Sequence, residues 1–422
     1  MKETLIINNF AGINSLKIDL NKINILIGPQ AAGKSVTAKL IFYFKSFIPE
    51  IRKGVESKEN KREIDRNHIN RFINYFPKET WPKNSFSIEY LVGETKMKIY
   101  KREKPIKLEY SESLKKLIKD AKKILKKEED RLLNTKGISN IEISINYSNK
   151  FNELVKSDIS PFSAYNQLFI PAGRSFFSNI QTSIFSFLSS NKSLDPFLIE
   201  FGSFYENFKR FASDENTGEQ NTIKDKDFQK LINEILNSNY LREKDKDFLL
   251  HTDKRKVNLS NASSGQQEIL PLLLILKILL RVSFSGDGAT LYIEEPEAHL
   301  FPNAQKKIIQ LLARVFNSSK NEFQIIVTTH SPYILSSFNN LMYAGSLVEK
   351  LNESKLEKAL DIIPKAEIIN PAILSAFSLD IKGQKVNLID DETKLISQNI
   401  LDGVSNEISI EFGKLLDIEY EN

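Results

Sequence analysis

The chain has 422 residues, 41% of them hydrophobic, and its 59 Lys and Arg against 54 Asp and Glu give a formal net charge of +5. This composition excludes disorder throughout the chain, and the absence of Cys excludes a disulfide scaffold, a cysteine nucleophile and a cysteine-ligated metal centre. No apolar run reaches the roughly 18 residues of a membrane span, and the N-terminus lacks a secretory signal, so we expect a cytoplasmic protein without membrane contact.

Three short strands are predicted at the start of the chain. Residues 16–20 alternate apolar and polar side chains, as in a half-buried strand, whereas residues 23–27 are almost continuously apolar, as in a strand covered on both faces. This third strand ends at Gly28, and a helix with one apolar stripe begins near Gly33. The succession of strand, glycine-bearing turn and helix indicates an α/β fold.

The next segments predict a surface excursion, an antiparallel meander and a long helix. Residues 49–82 are charged and irregular, and residues 86–110 contain three short alternating runs separated by turns. Residues 111–133 place an apolar stripe on one helix face and seven lysines on the other, namely Lys115, Lys116, Lys119, Lys122, Lys123, Lys126 and Lys127. We interpret this lysine face as solvated, with an anionic partner as the alternative.

The strongest motif lies between the third strand and its helix, Gly28-Pro29-Gln30-Ala31-Ala32-Gly33-Lys34-Ser35. It fits the pattern GxxxxGK[ST] in the strand–loop–helix context of a phosphate loop. Such a loop turns its backbone N–H groups towards an anion, with the helix N-terminus behind them. Lys34 is expected to neutralise β- and γ-phosphate charge, Ser35 to offer its hydroxyl to Mg²⁺, and Val36 to complete the nucleotide contacts. ATP and Mg²⁺ are therefore the expected cofactors.

Two later apolar strands also end in polar residues. Residues 289–293 lead into Glu294 and Glu295, and residues 324–329 lead into His330. One carboxylate at a strand end can join the Mg²⁺ shell, and the next can deprotonate an attacking water. His330 can form a hydrogen bond with the γ-phosphate. Because the carboxyl ends of parallel strands meet at one edge of a sheet, we predict that these side chains converge on the phosphate loop.

The fourth segment is residues 258–268, which lead into an apolar helix. The helix is predicted to begin near Ser264 and Gly265. This is either an anion-binding helix N-terminus or an ordinary helix cap. The order and spacing of all four motifs resemble the ATP-binding-cassette ATPases, in the branch shared with SMC and RecF-like proteins. Ser264-Gly265-Gln266 resembles the signature loop of that branch, and residues 294–302 resemble its Walker B motif and D-loop.

The resemblance implies an ABC-type P-loop fold with a mostly parallel central sheet, an antiparallel β meander and a helical insertion. The ATPase domain would span residues 1–344, with the insertion at about 111–257, and residues 345–422 would form a small C-terminal appendage. It also implies a homodimer or higher homo-oligomer with ATP at the subunit interfaces. There the signature residues Ser264, Gly265 and Gln266 of one subunit would face the phosphate loop of the other.

The resemblance further implies a role for each polar residue. Glu295 would be the catalytic base, His330 the switch histidine, and Glu294 a metal ligand beside Ser35. Gln167 would sense Mg²⁺. Residues 168–175 are similar to a stretch of bacterial SMC-like ATPases, in which Arg174 would contact phosphate, contact a neighbouring subunit or form a structural ion pair.

Within this branch, the chain best resembles the ATPase subunits of two-component anti-phage systems of the PARIS and Septu type. Transporter ATPases lack the long insertion, SMC proteins carry far longer coiled coils than residues 111–133 allow, and OLD-family nucleases add a metal site that residues 333–422 do not show. The resemblance implies a sensor and scaffold that holds a separate nuclease or toxin and responds to a phage protein. Two alternatives stay open: a DNA repair or recombination ATPase acting directly on DNA, and a regulatory module that binds ATP without turnover.

Overall fold

The computed structural model of the chain describes residues 2–102, 105–134, 139–179, 194–213, 223–244, 246–281, 288–318, 322–348, 350–397 and 410–411. Across these ranges no helix is both long and apolar enough to cross a bilayer. The strands of the described ranges form three sheets. Their bounds are β1 Glu3–Phe10, β2 Ile13–Leu20, β3 Ile23–Ile27, β4 Phe86–Val92, β5 Thr95–Lys101, β6 Lys107–Tyr110, β7 Asn166–Ile170, β8 Asn239–Glu243, β9 Lys246–Leu250, β10 Lys256–Asn258, β11 Gly288–Glu294, β12 Glu322–Thr329, β13 Leu374–Leu379 and β14 Lys385–Asn387.

Helices cover both faces of the largest sheet. Their bounds are α1 Lys34–Lys45, α2 Phe47–Glu56, α3 Lys61–Tyr75, α4 Glu112–Asn134, α5 Asn140–Asp158, α6 Phe176–Asn179, α7 Pro196–Ser213, α8 Ile223–Leu236, α9 Ser264–Leu279, α10 Pro302–Phe316, α11 Pro332–Val348 and α12 Glu353–Ile362. Short 3₁₀ turns lie at Lys78–Thr80, Pro161–Ala164, Leu259–Asn261, Lys365–Glu367 and Pro371–Ile373.

The central sheet has six strands in the order β14-β13-β3-β12-β11-β7. All neighbours from β13 to β7 are parallel, and only β14 is antiparallel. Strands β3 and β11 are buried along their whole length, which is why their sequences are nearly continuous in apolar residues. The predictions of an α/β fold and a mostly parallel central sheet are confirmed. The carboxyl ends of β3, β12 and β11 lie side by side at one edge.

Two apolar cores lie on opposite faces of this sheet. Along β12 the side chains alternate, because Ile325 and Val327 belong to one core and Ile326 to the other. The first core includes α9, α10 and α11, and the second includes α1 and the antiparallel sheet β2-β1-β4-β5-β6. A buried ion pair of Lys45 with Glu3, at 3.0 Å, joins α1 to that second sheet. The predicted meander is confirmed, and β1 and β2 extend it.

Three segments of the chain differ in their secondary structure or pairing from the expectations. The insertion at about 111–257 is not purely helical, since β7 pairs with β11 in the central sheet and β8–β10 form a sheet of their own. Within the expected appendage, β13 pairs with β3 and β14 with β13, so these two strands belong to the central sheet. The surface excursion at 49–82 instead contains α2 and α3, whose inner face packs Phe72 among aromatic rings.

Candidate functional site

The phosphate loop connects β3 to α1, and its glycines are required by its geometry. Gly28 has φ of 154°, and a Cβ atom there would lie 2.2 Å from the carbonyl oxygen of Leu379 on β13. Gly33 has φ of 86° and precedes the first residue of α1. Ala31 also has a positive φ, of 63°. Among the residues predicted to contact nucleotide, Ala32 of the loop is buried, and Pro29, Gln30 and Ala31 are exposed. Val36, in the first turn of α1, is half-buried.

Lys34 lies at the mouth of this loop. Its ammonium donates hydrogen bonds to the carbonyl oxygens of Gly28 at 2.7 Å and Pro29 at 2.8 Å. Its Nζ is also 3.4 Å from Nδ1 of His330. Burial lowers the pKa of Lys34, and the nearby carboxylate of Glu295 opposes that shift. The loop therefore holds a cation beside the residue that ends β12.

Glu294 at the end of β11 and Ser35 in the first turn of α1 offer two oxygen atoms that could bind a metal ion. Glu294 is 5% exposed, and its Oε2 accepts a hydrogen bond from the Ala172 amide at 3.3 Å. Among the described residues its Oε1 has no hydrogen-bond partner, although it is buried. Burial raises the pKa of Glu294, while the charge of Lys39 and hydrogen bonding to Ser35 lower it. A buried carboxylate that keeps one oxygen unsatisfied while it interacts with the Ser35 hydroxyl fits Mg²⁺, which prefers oxygen ligands.

Glu295 and His330 form a pair at the open side of the site. Oε1 of Glu295 lies 3.2 Å from Nε2 of His330, and the two side chains are 36% and 37% exposed. Glu295 has φ of 42°, and its amide donates to the carbonyl oxygen of Thr328 at 2.9 Å. The imidazole of His330 thus stands between Lys34 and Glu295. The three strand-end residues converge on the loop as the sequence analysis expected.

Sequence reasoning missed Glu297, the third glutamate of the run Glu-Glu-Pro-Glu. It is 9% exposed, and its Oε1 accepts hydrogen bonds from the His330 amide at 2.6 Å and the Thr329 hydroxyl at 2.7 Å. The signal that was available is its position two residues after Glu295, within the turn that leaves β11.

Gln167 does not lie at the metal candidates, in contrast to the prediction. On β7 it pairs with Thr290, four residues before Glu294 on the neighbouring strand, which is about 13 Å at 3.3 Å per residue. Its Nε2 donates to the carbonyl oxygen of Tyr165, and its Oε1 accepts from the hydroxyl of Tyr292 at 2.8 Å. Its amide therefore supports the sheet interior. The sequence places Gln167 before the strand at residues 169–171, whereas β7 begins at Asn166 and Gln167 lies within it.

Arg174 forms a buried structural ion pair. Contact with phosphate and contact with a neighbouring subunit were the other two alternatives of the sequence analysis. We call Arg174 a strut, meaning a buried side chain that joins two elements. Its side chain is completely buried and forms an ion pair with Glu268 of α9 at 3.3 Å. It also donates to backbone carbonyl oxygens of Glu294 at 2.8 Å and Glu295 at 3.1 Å. Arg174 thereby fixes the end of β11 against α9, so it positions the two carboxylates without lying in the phosphate loop.

The predicted signature segment begins α9, but its cap is Ser263. The Ser263 hydroxyl and the Gln266 side chain form a capping box. Nε2 of Gln266 also donates to the carbonyl oxygen of Leu236 at 2.7 Å, so this side chain is engaged within its own chain. Ser264 is exposed. A Cβ atom at Gly265 would lie 2.6 Å from the carbonyl oxygen of His299, so the glycine allows α9 to contact the turn after β11.

Three solved structures of SMC heads are similar to this chain. The chain is similar to an SMC head bound to the C-winged helix domain of ScpA, with 13% identity, coverage of 80% of this chain and 91% of that one, and a TM-score of 0.39. The SMC head domain from Thermotoga maritima shares 11% identity, with coverage of 80% and 91% and a TM-score of 0.34. An SMC head domain with an extended coiled coil, bound to the C-terminal domain of ScpA derived from Pyrococcus furiosus, shares 11% identity, with coverage of 97% and 99% and a TM-score of 0.37.

No curated protein matches the chain. The AAA ATPase domain family matches residues 1–335, a span that contains the phosphate loop, both strand-end glutamates and His330. The protein therefore belongs to the AAA ATPase domain family.

Proposed function

We propose that this ATPase-family chain binds Mg-ATP in its phosphate loop and hydrolyses it with Glu295 as the base. The observation that carries the proposal is the row of side chains from Lys34 through His330 to Glu295, with successive contacts of 3.4 and 3.2 Å. The row begins at the cation of the loop and ends at an accessible carboxylate. A γ-phosphate requires a cation beside it, and its attacking water requires a group that orients or deprotonates it.

Each side chain has a task that follows from its place. The loop amides and the Lys34 ammonium bind the β- and γ-phosphates. His330 orients the γ-phosphate by a hydrogen bond, and Glu295 accepts a proton from the attacking water. Ser35 and Glu294 would hold Mg²⁺, which supplies positive charge to the phosphate oxygens.

The proposed active form is a homodimer, or a higher homo-oligomer, in which subunits meet head to tail across the nucleotides. Ser264 is exposed in the first turn of α9, and a helix N-terminus attracts anions. In this arrangement Ser264 and Gly265 of one subunit close over the nucleotide of the other. Gln266 keeps the helix start in shape through its capping box. ATP binding then joins two subunits, and hydrolysis releases them.

The proposed biological role is that of a cytoplasmic sensor and scaffold in anti-phage defence, which holds a separate nuclease or toxin and releases it on contact with a phage protein. Its support is the resemblance of the motif order and of residues 168–175 to ATPase subunits of the PARIS and Septu type. The second candidate is a DNA repair or recombination ATPase. It is favoured by the seven lysines of α4, all of which are exposed.

A pull-down with the Glu295→Gln variant and ATP distinguishes these roles. The variant should bind ATP and hydrolyse it far more slowly, which traps the closed state; unchanged turnover would place the base elsewhere. Lys34→Ala, which removes the cation that binds the phosphates, is the matched control. A stoichiometric nuclease or toxin that co-elutes with Glu295→Gln and not with Lys34→Ala supports the defence role. Nucleic acid alone, released steeply by salt, supports the DNA-directed role instead.

A further inference from the structure

Glu297 is a buried carboxylate with no task in the proposed mechanism. It lies in the turn after β11, two residues beyond the proposed base, and it reaches across to the end of β12. Both hydrogen bonds to its Oε1 come from consecutive residues of that strand end, the hydroxyl of Thr329 at 2.7 Å and the amide of His330 at 2.6 Å. Its Oε2 is buried with no hydrogen-bond partner within the described ranges.

We propose that Glu297 is a positioning residue that holds the imidazole of His330 between Lys34 and Glu295. A carboxylate that accepts from a backbone amide forms one of the stronger hydrogen bonds in proteins. Here the amide belongs to the residue whose side chain must be placed. We call the hydrogen bonds from the Thr329 hydroxyl and the His330 amide to Glu297 the brace. Thr329 extends it to Ser331, because the Thr329 hydroxyl also accepts a hydrogen bond from the Ser331 amide at 3.0 Å. Three consecutive residues at the end of β12 are thus fixed through one carboxylate.

These bonds of Glu297 add a second connection between the turn after β11 and the end of β12, beside the contact of Glu295 with His330. The carbonyl oxygen of Glu297 accepts from the Leu300 amide at 3.0 Å, so the carboxylate extends from a closed turn of its own. The same turn contains His299, whose carbonyl oxygen is the close neighbour of Gly265 at the start of α9. A shift of this turn therefore moves the acceptor of the His330 amide. The position of His330 then depends on the turn as well as on β12.

The charge of the Glu297 carboxylate has a second effect. The negative charge of Glu297 raises the pKa of Lys34, against the lowering by burial, so the carboxylate also lies within electrostatic reach of the phosphate-binding cation. An amide at this position keeps one acceptor oxygen for Thr329 and His330 but loses the charge. Glu297→Gln therefore separates the hydrogen-bonding brace from the electrostatic contribution, whereas Glu297→Ala removes both.

The test is a double-mutant cycle between Glu297 and His330, and it rests on the proposed role of His330 in hydrolysis. The turnover number, the dissociation constant of ATP and the melting temperature are measured for Glu297→Ala, Glu297→Gln, His330→Ala and the double variant Glu297→Ala/His330→Ala. We expect Glu297→Ala to lower turnover by about 10- to 100-fold with ATP affinity changed less than about threefold, because misplacing a catalytic group acts on the transition state. Glu297→Gln should retain turnover within about threefold of the native chain. The double variant should be no slower than His330→Ala by more than about twofold.

Glu367→Ala is the control for loss of a buried glutamate. Glu367 is 1% exposed and accepts hydrogen bonds from Gln310 and Arg314 of α10, each at 2.8 Å. This control should lower the melting temperature without changing turnover of the folded protein. Losses that multiply in the double variant, or native turnover in Glu297→Ala, would overturn the proposed brace while leaving the hydrolytic site standing. Native turnover in His330→Ala would overturn the proposed role of His330, and the brace with it.

Discussion

Replacing Arg174 by Met tests whether this residue is a strut or a nucleotide ligand. The guanidinium donates four hydrogen bonds to backbone carbonyl oxygens, those of Glu268 at 3.0 Å, Pro171 at 2.9 Å, Glu294 at 2.8 Å and Glu295 at 3.1 Å. It also forms the 3.3 Å ion pair with the buried Glu268 carboxylate. Met fills a similar volume and satisfies none of these groups.

The expected loss of stability is large because both partners are buried. Removing one partner of a buried ion pair costs about 3–5 kcal/mol. Glu268 keeps two backbone donors, the amides of Arg174 at 2.9 Å and Ser175 at 2.8 Å, so we expect the lower part of this range, about 3–4 kcal/mol. Arg174→Lys should lose nearly as much, since an ammonium cannot reproduce the fork that spans carbonyls on both sides of the site.

Urea unfolding followed by far-ultraviolet circular dichroism measures this free energy. The midpoint should fall while the slope stays constant, because the folded core is otherwise unchanged. Arg255→Met is the matched control, because both Arg255 and its partner Asp253 are exposed and water screens such a pair, so the urea midpoint should stay nearly unchanged. The ATP affinity of folded Arg174→Met should stay within about twofold. Native stability combined with a loss of ATP affinity would refute the strut and indicate that Arg174 contacts phosphate.

Three further substitutions test the site directly. Lys34→Ala should abolish ATP binding in a calorimetric titration, and retained affinity would contradict the phosphate-loop assignment. Gly28→Ala should lower ATP affinity at least about tenfold, since a Cβ atom 2.2 Å from the Leu379 carbonyl oxygen displaces the loop from β13. Gln167→Ala should leave the Mg²⁺ concentration dependence of hydrolysis unchanged and cost about 1 kcal/mol for the lost Tyr292 bond; a shifted Mg²⁺ dependence would restore Gln167 as a metal contact.

Residues that act through local geometry were predictable from the sequence. The phosphate loop is a contiguous motif between a strand and a helix. Glu294 ends an apolar strand, and Glu295 and His330 each directly follow one. Parallel strands bring such ends to one edge whatever the intervening chain does. The convergence of these residues therefore required only the strand periods and their order.

Residues that act through long-range pairing were not predictable. The sequence does not show that β13 pairs with β3, because a six-residue apolar strand is compatible with many neighbours. Arg174 has no periodicity that reveals its burial, since two of its four carbonyl partners, Glu294 and Glu295, lie more than a hundred residues away in sequence. Gln167 was misplaced for the same reason. Its neighbours are set by the register of β7 on β11, which only the folded sheet defines.

The sheet order has a consequence for how the protein forms during synthesis. The loop strand β3 ends at Ile27, but its two sheet neighbours begin at Glu322 and Leu374. At ribosomal rates of about 5–20 residues per second, the chain between β3 and the first of these neighbours takes roughly 15–60 s to be synthesised. During that time β3 is an apolar strand without its partners, the kind of segment that pairs wrongly with other chains. The hairpin of β1 and β2 can assemble early, whereas the nucleotide-binding edge is completed late, so a translational pause between β3 and β12 should lower the yield of nucleotide-competent protein.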